Sequence, residues 1–334
     1  MKNTAKVSII VPIYNVEKYV SKCLDSLINQ TFKDIEIWAI SDGSPDNSVK
    51  IIKNYQKKDN RIKCIEKENG GYGSVLEYAI KNIKTKYFLI CDPDDWLKKD
   101  AIEKLYNSAE NNNLDIVVAS KYFVYNDNDE EKYCDCRIGN VKIEENIVYK
   151  ETNIDKFAYV SVTPHAKLYR TEVSKKLKFP HKVNFTDFLL YIVSLNNSKR
   201  VMCLEEGLAY YLIDRPGNSV TDVNPKIFNY YIIVYKSVME QLEEEKIKNL
   251  IIARMYTQFR HIILELKKRG SNDTILEYAP KIKDLLNLLE PYKFRITLFL
   301  PYKLKDKIFA FLLINKRTRD KYYKKILENK KIID

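Results

Sequence analysis

The sequence predicts an α/β fold, a mostly parallel sheet with helices on both faces, followed by a C-terminal helical region. Three observations carry this. From Val7 to Ser120 short apolar runs alternate with amphipathic segments across polar turns, the signature of strand–helix units whose strands pair in parallel. The run Tyr87–Cys91 discharges directly into Asp92, Asp94 and Asp95, and ligand-binding groups of open α/β sheets gather at such strand ends. From about Lys226 onward the apolar periodicity becomes helical.

Strands are expected at Val7–Ile13, Ile35–Ile40, Ile62–Glu66, Tyr87–Cys91 and Leu114–Ala119. Asn15 stands as a cap before a helix over Val16–Asn29, and Asp46 or Asn47 before one over Ser48–Lys57. Asp94 or Asp95 is a candidate cap for a helix from about Leu97 to Asn112. Beyond Ser120 the pattern shifts to short strands, Tyr122–Tyr125, Lys132–Cys136 and Ile147–Tyr149, around a charged hairpin at Asn126–Glu131. Thr152 and Asp155 have capping-box spacing. A strand over Ala166–Arg170, a helix over Asp187–Asn196 and strands over Arg200–Leu204 and Leu208–Ile213 complete a first domain, residues 1–225. The second domain, residues 226–334, reads as helices Ile227–Glu244, Ile247–Lys268 and Thr274–Leu289 and a final basic stretch.

Composition narrows the function classes. Hydrophobic residues at 45% and aromatics at 12% exclude a disordered chain. The longest apolar run, Ile308–Ile314, falls far short of the roughly 20 residues that span a bilayer. Met1–Lys6 leads into the first strand without an apolar signal segment, so a cytoplasmic location is expected. The six cysteines form no CxxC pair and read as reduced thiols, and Cys134 and Cys136 fit neither a zinc knuckle nor a thioredoxin motif. His165, His181 and His261 lack metal-ligand spacing; for His165 a surface role is favoured over contact with a substrate.

Three carboxylates within four residues repel one another unless a cation lies nearby, and an all-oxygen cluster suits Mg²⁺ or Mn²⁺. Glycine adds an independent signal. Only eight occur in the chain, and Gly43, Gly70, Gly71, Gly73 and Gly217 fall in three candidate loops. The loop Asn69–Ser74 opens a helix, so its amides are expected to face the same strand ends as the aspartates. It has neither the dinucleotide-binding GxGxxG form nor the Lys-Ser/Thr of a P-loop.

Together, Val7–Asn15, Ile40–Asp46, Asn69–Ser74 and Cys91–Trp96 resemble the motifs of the inverting glycosyltransferase family 2. The likeness continues through Lys167–Arg170, Leu177–Pro180, Phe185–Phe188 and Tyr211–Ser219. It implies the GT-A fold, a Rossmann-like sheet, and a nucleotide-sugar donor, with UDP as the expected nucleotide and Mn²⁺ or Mg²⁺ as cofactor. Pro12, Tyr14 and Asp42 match positions that wrap the base and ribose. Asp92 and Asp94 match the DxD pair, the first near the ribose and the second on the metal that bridges the phosphates. Gly71 belongs to the glycine loop beside the donor. Asp187 matches the catalytic base; its alternative reading is a helix cap. Where the family usually has acidic pairs, this chain has Ser41-Asp42 and Thr186-Asp187, and the second member is the one expected to act. A sugar-nucleotide pyrophosphorylase would place a glycine-rich, basic loop after the first strand, where Pro12–Glu17 stands. A non-catalytic binding module would have lost the carboxylates, which are present.

The net charge of +12 is uneven. Residues 226–334 hold 24 Lys+Arg against 13 Asp+Glu, residues 1–225 hold 33 against 32, and Lys293–Lys331 alone holds 13 against 3. Aromatic and aliphatic residues interleave with this basic block, so it reads either as a segment lying on an anionic membrane surface or as a helical subdomain with a solvated basic face. No nucleic-acid-binding motif accompanies the charge. The expected partners are the nucleotide-sugar and a glycan or lipid-linked acceptor, joined, on the first reading of residues 293–331, by the anionic inner face of the plasma membrane.

Overall fold

The computed structural model describes residues 5–125, 130–213 and 225–328. Gly217, the 214–219 end of the last motif, the 126–129 tip of the charged hairpin and the 329–331 end of the basic stretch lie outside the described residues. The chain divides into two compact units, Met1–Ile138 with Ile143–Thr221, and Gly139–Lys142 with Asp222–Asp334.

The first unit is built on one ten-stranded sheet. Its leading half runs β1 (Val7–Ile13), α1 (Val20–Ile28), β2 (Ile35–Asp42), α2 (Ser48–Lys58), β3 (Ile62–Lys67), α3 (Tyr72–Asn82) and β4 (Tyr87–Ile90). The order β3-β2-β1-β4 is parallel throughout, with Val7 opposite Ile35 on one side and Tyr87 on the other. The second half comprises β5 (Trp96–Leu97), α4 (Ala101–Asn111), β6 (Ile116–Tyr125), β7 (Glu131–Cys134), β8 (Tyr149–Lys150), β9 (Lys167–Arg170), α5 (Thr171–Ser174), α6 (Thr186–Asn197) and β10 (Arg200–Ile213). Strand β9 enters antiparallel between β4 and β6, which makes the sheet mixed, while β6 and β10 are parallel.

The two-residue strand period sorts the side chains. Val7, Ile9, Val11 and Ile13 join Val20, Leu24 and Leu27 of α1 and Ile102 and Leu105 of α4 in one buried core, to which Tyr87 and Leu89 also belong. Phe88 turns the other way and stacks on Tyr169 at 5.2 Å. Every β1 residue is buried, as expected of a strand covered on both faces.

Several local expectations are overturned. Asn15 has φ +54° and α1 begins only at Val20. Leu97 lies in β5, and α4 starts at Ala101 behind Asp100, so neither Asp94 nor Asp95 caps it. Thr152 and Asp155 form no capping box; a 3₁₀ helix spans Ile154–Tyr159 with no side-chain cap bond. The two strands read over Arg200–Ile213 are one, bent by register shifts near Gly207.

The second unit is helical: α7 (Ile227–Gln241), α8 (Asn249–Arg269), α9 (Asn272–Lys283), α10 (Leu285–Leu289), α11 (Lys293–Phe299), α12 (Leu304–Ile314) and α13 (Arg319–Glu328). The stretch Thr274–Leu289, read as one helix, breaks at Asp284, four residues beyond Pro280. Ser271 caps α9 by accepting the Thr274 N–H at 3.2 Å. Among the described residues no helix is long and apolar enough to cross a membrane.

Candidate active site

A cavity of about 610 Å³ opens at the carboxyl ends of β1, β2 and β4. Pro12, Tyr14, Asp42, Gly71, Asp92, Asp94 and Asp187 all line it, so residues far apart in sequence converge on one space. Asp92–Asp95 arrive there because β4 ends at Ile90 and the chain turns, with the Asp95 N–H donating to the Asp92 carbonyl at 3.0 Å.

Asp42 is a latch for the glycine loop. Its carboxylate accepts the Gly70 N–H at 2.9 Å and the Gly71 N–H at 2.7 Å, and the Lys67 ammonium sits 2.6 Å away. Two of the loop amides thus point at a protein carboxylate at the strand end. Gly71 has φ +82°, and a Cβ there would lie 2.9 Å from the Lys182 backbone; only glycine meets both demands. The neighbouring Tyr72 hydroxyl donates to Asp92 Oδ1 at 2.9 Å, and burial pushes that phenol well above its usual range.

Behind the carboxylates lies a network that the sequence did not announce. Asp95 Oδ2 is 2.6 Å from His165 Nε2, and both side chains are almost fully buried. Asp95 Oδ1 accepts the Leu212 N–H at 2.9 Å. The Lys121 ammonium lies 3.4 Å from His165 Nδ1 and donates to Thr163 Oγ1 at 2.8 Å. An ammonium facing Nδ1 favours a lone pair there, and burial with Lys121 and Lys167 nearby holds the ring neutral; we therefore assign the proton to Nε2, donated to Asp95. The surface role expected for His165 is corrected: its partner stands 70 residues earlier in the chain.

Burial and the charges of Asp94 and Asp92 push the Asp95 carboxyl well above its usual range. A divalent cation beside the cluster would offset that repulsion. Carboxylate oxygens of Asp92 and Asp95 and a ring nitrogen of His165 lie within 4.8 Å of one another, with Asp94 on the same cavity wall. The proton on Nε2 makes His165 a support for Asp95 in this arrangement.

Asp187 lies in the first turn of α6, whose N-cap is Phe185, so it is not the cap. Burial raises its carboxyl to about 6, opposed by the Phe188 N–H and by the Lys167 and Lys121 ammoniums. Lys167 is itself buried, donates to the Thr163 carbonyl and is lowered to about 7, chiefly by burial. A carboxylate poised near neutral pH in a cavity has the property required of a general base.

Backbone strain gathers here as well. Asn15, Ala166, Lys182 and Phe185 all have φ between +50° and +66°, and each borders or lines the cavity. Left-handed Ala and Phe each cost about 1–3 kcal/mol and persist only where surrounding structure enforces them, typically at functional sites.

The chain matches the glycosyl transferase family 2 profile over residues 8–178, half its length. This chain belongs to glycosyl transferase family 2. Within that family it is 35% identical over 217 residues to the glycosyltransferase GlyA of Streptococcus pneumoniae serotype 4, covering 62% of this chain and 30% of that protein. It is 30% identical over 237 residues to the poly(ribitol-phosphate) beta-glucosyltransferase of Bacillus spizizenii, covering 67% and 35%. The chain thus spans about a third of either relative. The crystal structure of S. aureus TarS 1–349 in complex with UDP-GlcNAc superposes with a TM-score of 0.74 at 20% identity, over 97% of this chain and 90% of that one; the two share the GT-A fold with its C-terminal helical region.

Tyr72 and Lys167 stand inside the motifs Asn69–Ser74 and Lys167–Arg170 but take no role of their own from them, Lys121 belongs to no motif, and His165 was expected at the surface. For the two lysines a signal existed: each lies in an apolar strand at a position whose period points inward, Lys121 in β6 and Lys167 two residues before Tyr169.

Proposed function

We propose that this chain moves a sugar from a UDP-linked donor onto a glycan or lipid-linked acceptor of the cell envelope, by single displacement with inversion. Residues 1–225 form the transferase domain in this reading, working at the cytoplasmic face of the membrane. The observation that carries it is the convergence of Pro12, Tyr14, Asp42, Gly71, Asp92, Asp94 and Asp187 on one cavity. The one relative named for poly(ribitol-phosphate), and TarS with UDP-GlcNAc on the same fold, support the acceptor class and the donor.

Pro12 and Tyr14, at the end of β1, pack against the base, and Asp42 holds the glycine loop beside the ribose. Asp92 and Asp94 would hold Mn²⁺ or Mg²⁺, with Asp95 fixed behind them by His165. When bound, that ion supplies positive charge opposite the diphosphate. Asp187 takes the proton of the acceptor hydroxyl as its oxygen bonds the anomeric carbon, and the bond from that carbon to the diphosphate oxygen breaks with its electron pair leaving on the nucleoside diphosphate.

A thermal-shift panel of nucleotide-sugars tests the donor assignment. UDP-sugars are expected to raise the unfolding midpoint with Mn²⁺ and to lose most of that shift with chelator; a larger shift with a GDP- or CDP-sugar would reject UDP. His165→Gln is expected to weaken Mn²⁺ binding by about 10–100-fold, as removal of a group that orients a ligating shell does. Electron paramagnetic resonance of free Mn²⁺ in a titration reads that change, and an unaltered Mn²⁺ affinity would remove His165 from the site.

A further inference from the structure

The second unit presents an apolar ridge on its α11–α12 hairpin. Phe294 and Leu298 on α11 are 69% and 67% exposed, and Leu304 and Ile308 on α12 are 72% and 50% exposed. Both pairs have i,i+4 spacing, so each lies along one side of its helix. The sides join: the Phe294 ring centroid is 5.3 Å from that of Phe311, and Lys307 Nζ donates to the Leu298 carbonyl at 2.8 Å.

The exposure is enforced by packing on the opposite side of α11. Ile296 and Leu300 are fully buried, and the Arg295 guanidinium donates to Asn249 Oδ1 at 2.9 Å and to the Ile247 carbonyl. The hairpin is thus fixed with its apolar ridge outward. Contiguous exposed apolar side chains on an otherwise well-packed unit mark an interaction surface.

Charge selects the occupant. Lys303 and Lys305 flank Leu304 and are exposed, and the block Lys293–Lys331 holds 13 Lys+Arg against 3 Asp+Glu. Lysine stems beside aliphatic side chains let the apolar groups enter the acyl boundary while the ammoniums stay at phosphate level. We propose that the α11–α12 hairpin is a docking face for an anionic lipid bilayer, with Phe294, Leu298, Leu304 and Ile308 inserted and Lys303 and Lys305 on the headgroups. This gives the membrane expectation for residues 293–331 a specific surface, and it stands independently of the donor chemistry.

Sedimentation of the full chain with vesicles tests it. Binding is expected to vesicles of phosphatidylcholine with phosphatidylserine and not to phosphatidylcholine alone, and to weaken as salt screens the exposed charges. Lys303→Gln with Lys305→Gln is expected to weaken binding about thirtyfold, the product of two interfacial charges. Leu304→Ser with Ile308→Ser is expected to weaken it at least about tenfold. Because all four side chains are exposed or edge-lying, circular dichroism and the unfolding midpoint are expected to match the parent, which separates lost binding from lost fold. Equal binding to neutral vesicles, or binding unchanged in both variants, would overturn the proposal. So would a parent dimer in ultracentrifugation that Leu304→Ser with Ile308→Ser converts to monomer without any vesicle binding, since the ridge would then be a self-association face.

Discussion

Asp187→Asn is expected to bind nucleotide-sugar and Mn²⁺ as the parent does while losing turnover by about 10²–10⁴-fold, the usual cost of removing a general base. The substitution keeps the shape of the first turn of α6 and removes only the proton acceptor. In the parent, kcat/KM is expected to rise with pH through about 6, because burial holds the Asp187 carboxyl there and only its ionised form accepts a proton. The Lys167 and Lys121 ammoniums oppose that rise in pKa, so neutralising Lys167 moves the acid limb to higher pH. A flat profile from pH 5 to 8 in the parent, or an Asp187→Asn variant with full turnover, would assign the base elsewhere. Product NMR supplies the companion check: a retained anomeric configuration is incompatible with one displacement.

The second large effect is expected at the carboxylate cluster. Asp94→Asn removes one of the charges that push up the Asp95 carboxyl, so the fold is expected to be kept or slightly stabilised. The Mn²⁺-dependent part of UDP binding is expected to vanish. Calorimetry of UDP binding with and without Mn²⁺ measures both arms, and a metal dependence equal to the parent's would remove Asp94 from the cation site. Stability and ligand binding move in opposite directions here, which distinguishes the outcome from general damage.

Much of the scaffold was legible because it depends on local pattern. Strand β1 was expected at Val7–Ile13 and spans those residues, since an unbroken apolar run bounded by polar turns has one economical arrangement in a doubly covered sheet. The motif residues gathered at strand ends for the same reason: βα connectivity puts all of those ends on one edge. Caps failed where tertiary structure claimed the side chain. Asp95, a candidate cap by position, instead serves Leu212 and His165, and those partners carry no signal in the residues around it. Strand β10 read as two because Glu205, Glu206 and Gly207 break the apolar run, whereas the sheet absorbs them as an irregularity in register with β6. His165 was the largest miss: a single histidine in a polar stretch has no period to follow, and its burial depends on a contact made only when β9 inserts beside β4.

The close approach of Gly71 to Lys182 also has a mechanical meaning. The Lys182 N–H donates to the Gly70 carbonyl at 2.6 Å, and a Cβ on Gly73 would meet the Pro180 carbonyl at 2.8 Å. The loop that Asp42 latches therefore leans directly on the segment that leads into α6 and Asp187. On the proposed assignment these are the donor-side and acceptor-side walls of the cavity, and their backbones are in direct contact. With Asp187 as the proposed base, remodelling the loop at 70–73 to admit a different sugar is expected to shift the segment that positions it, so that donor choice and catalytic alignment would be altered together.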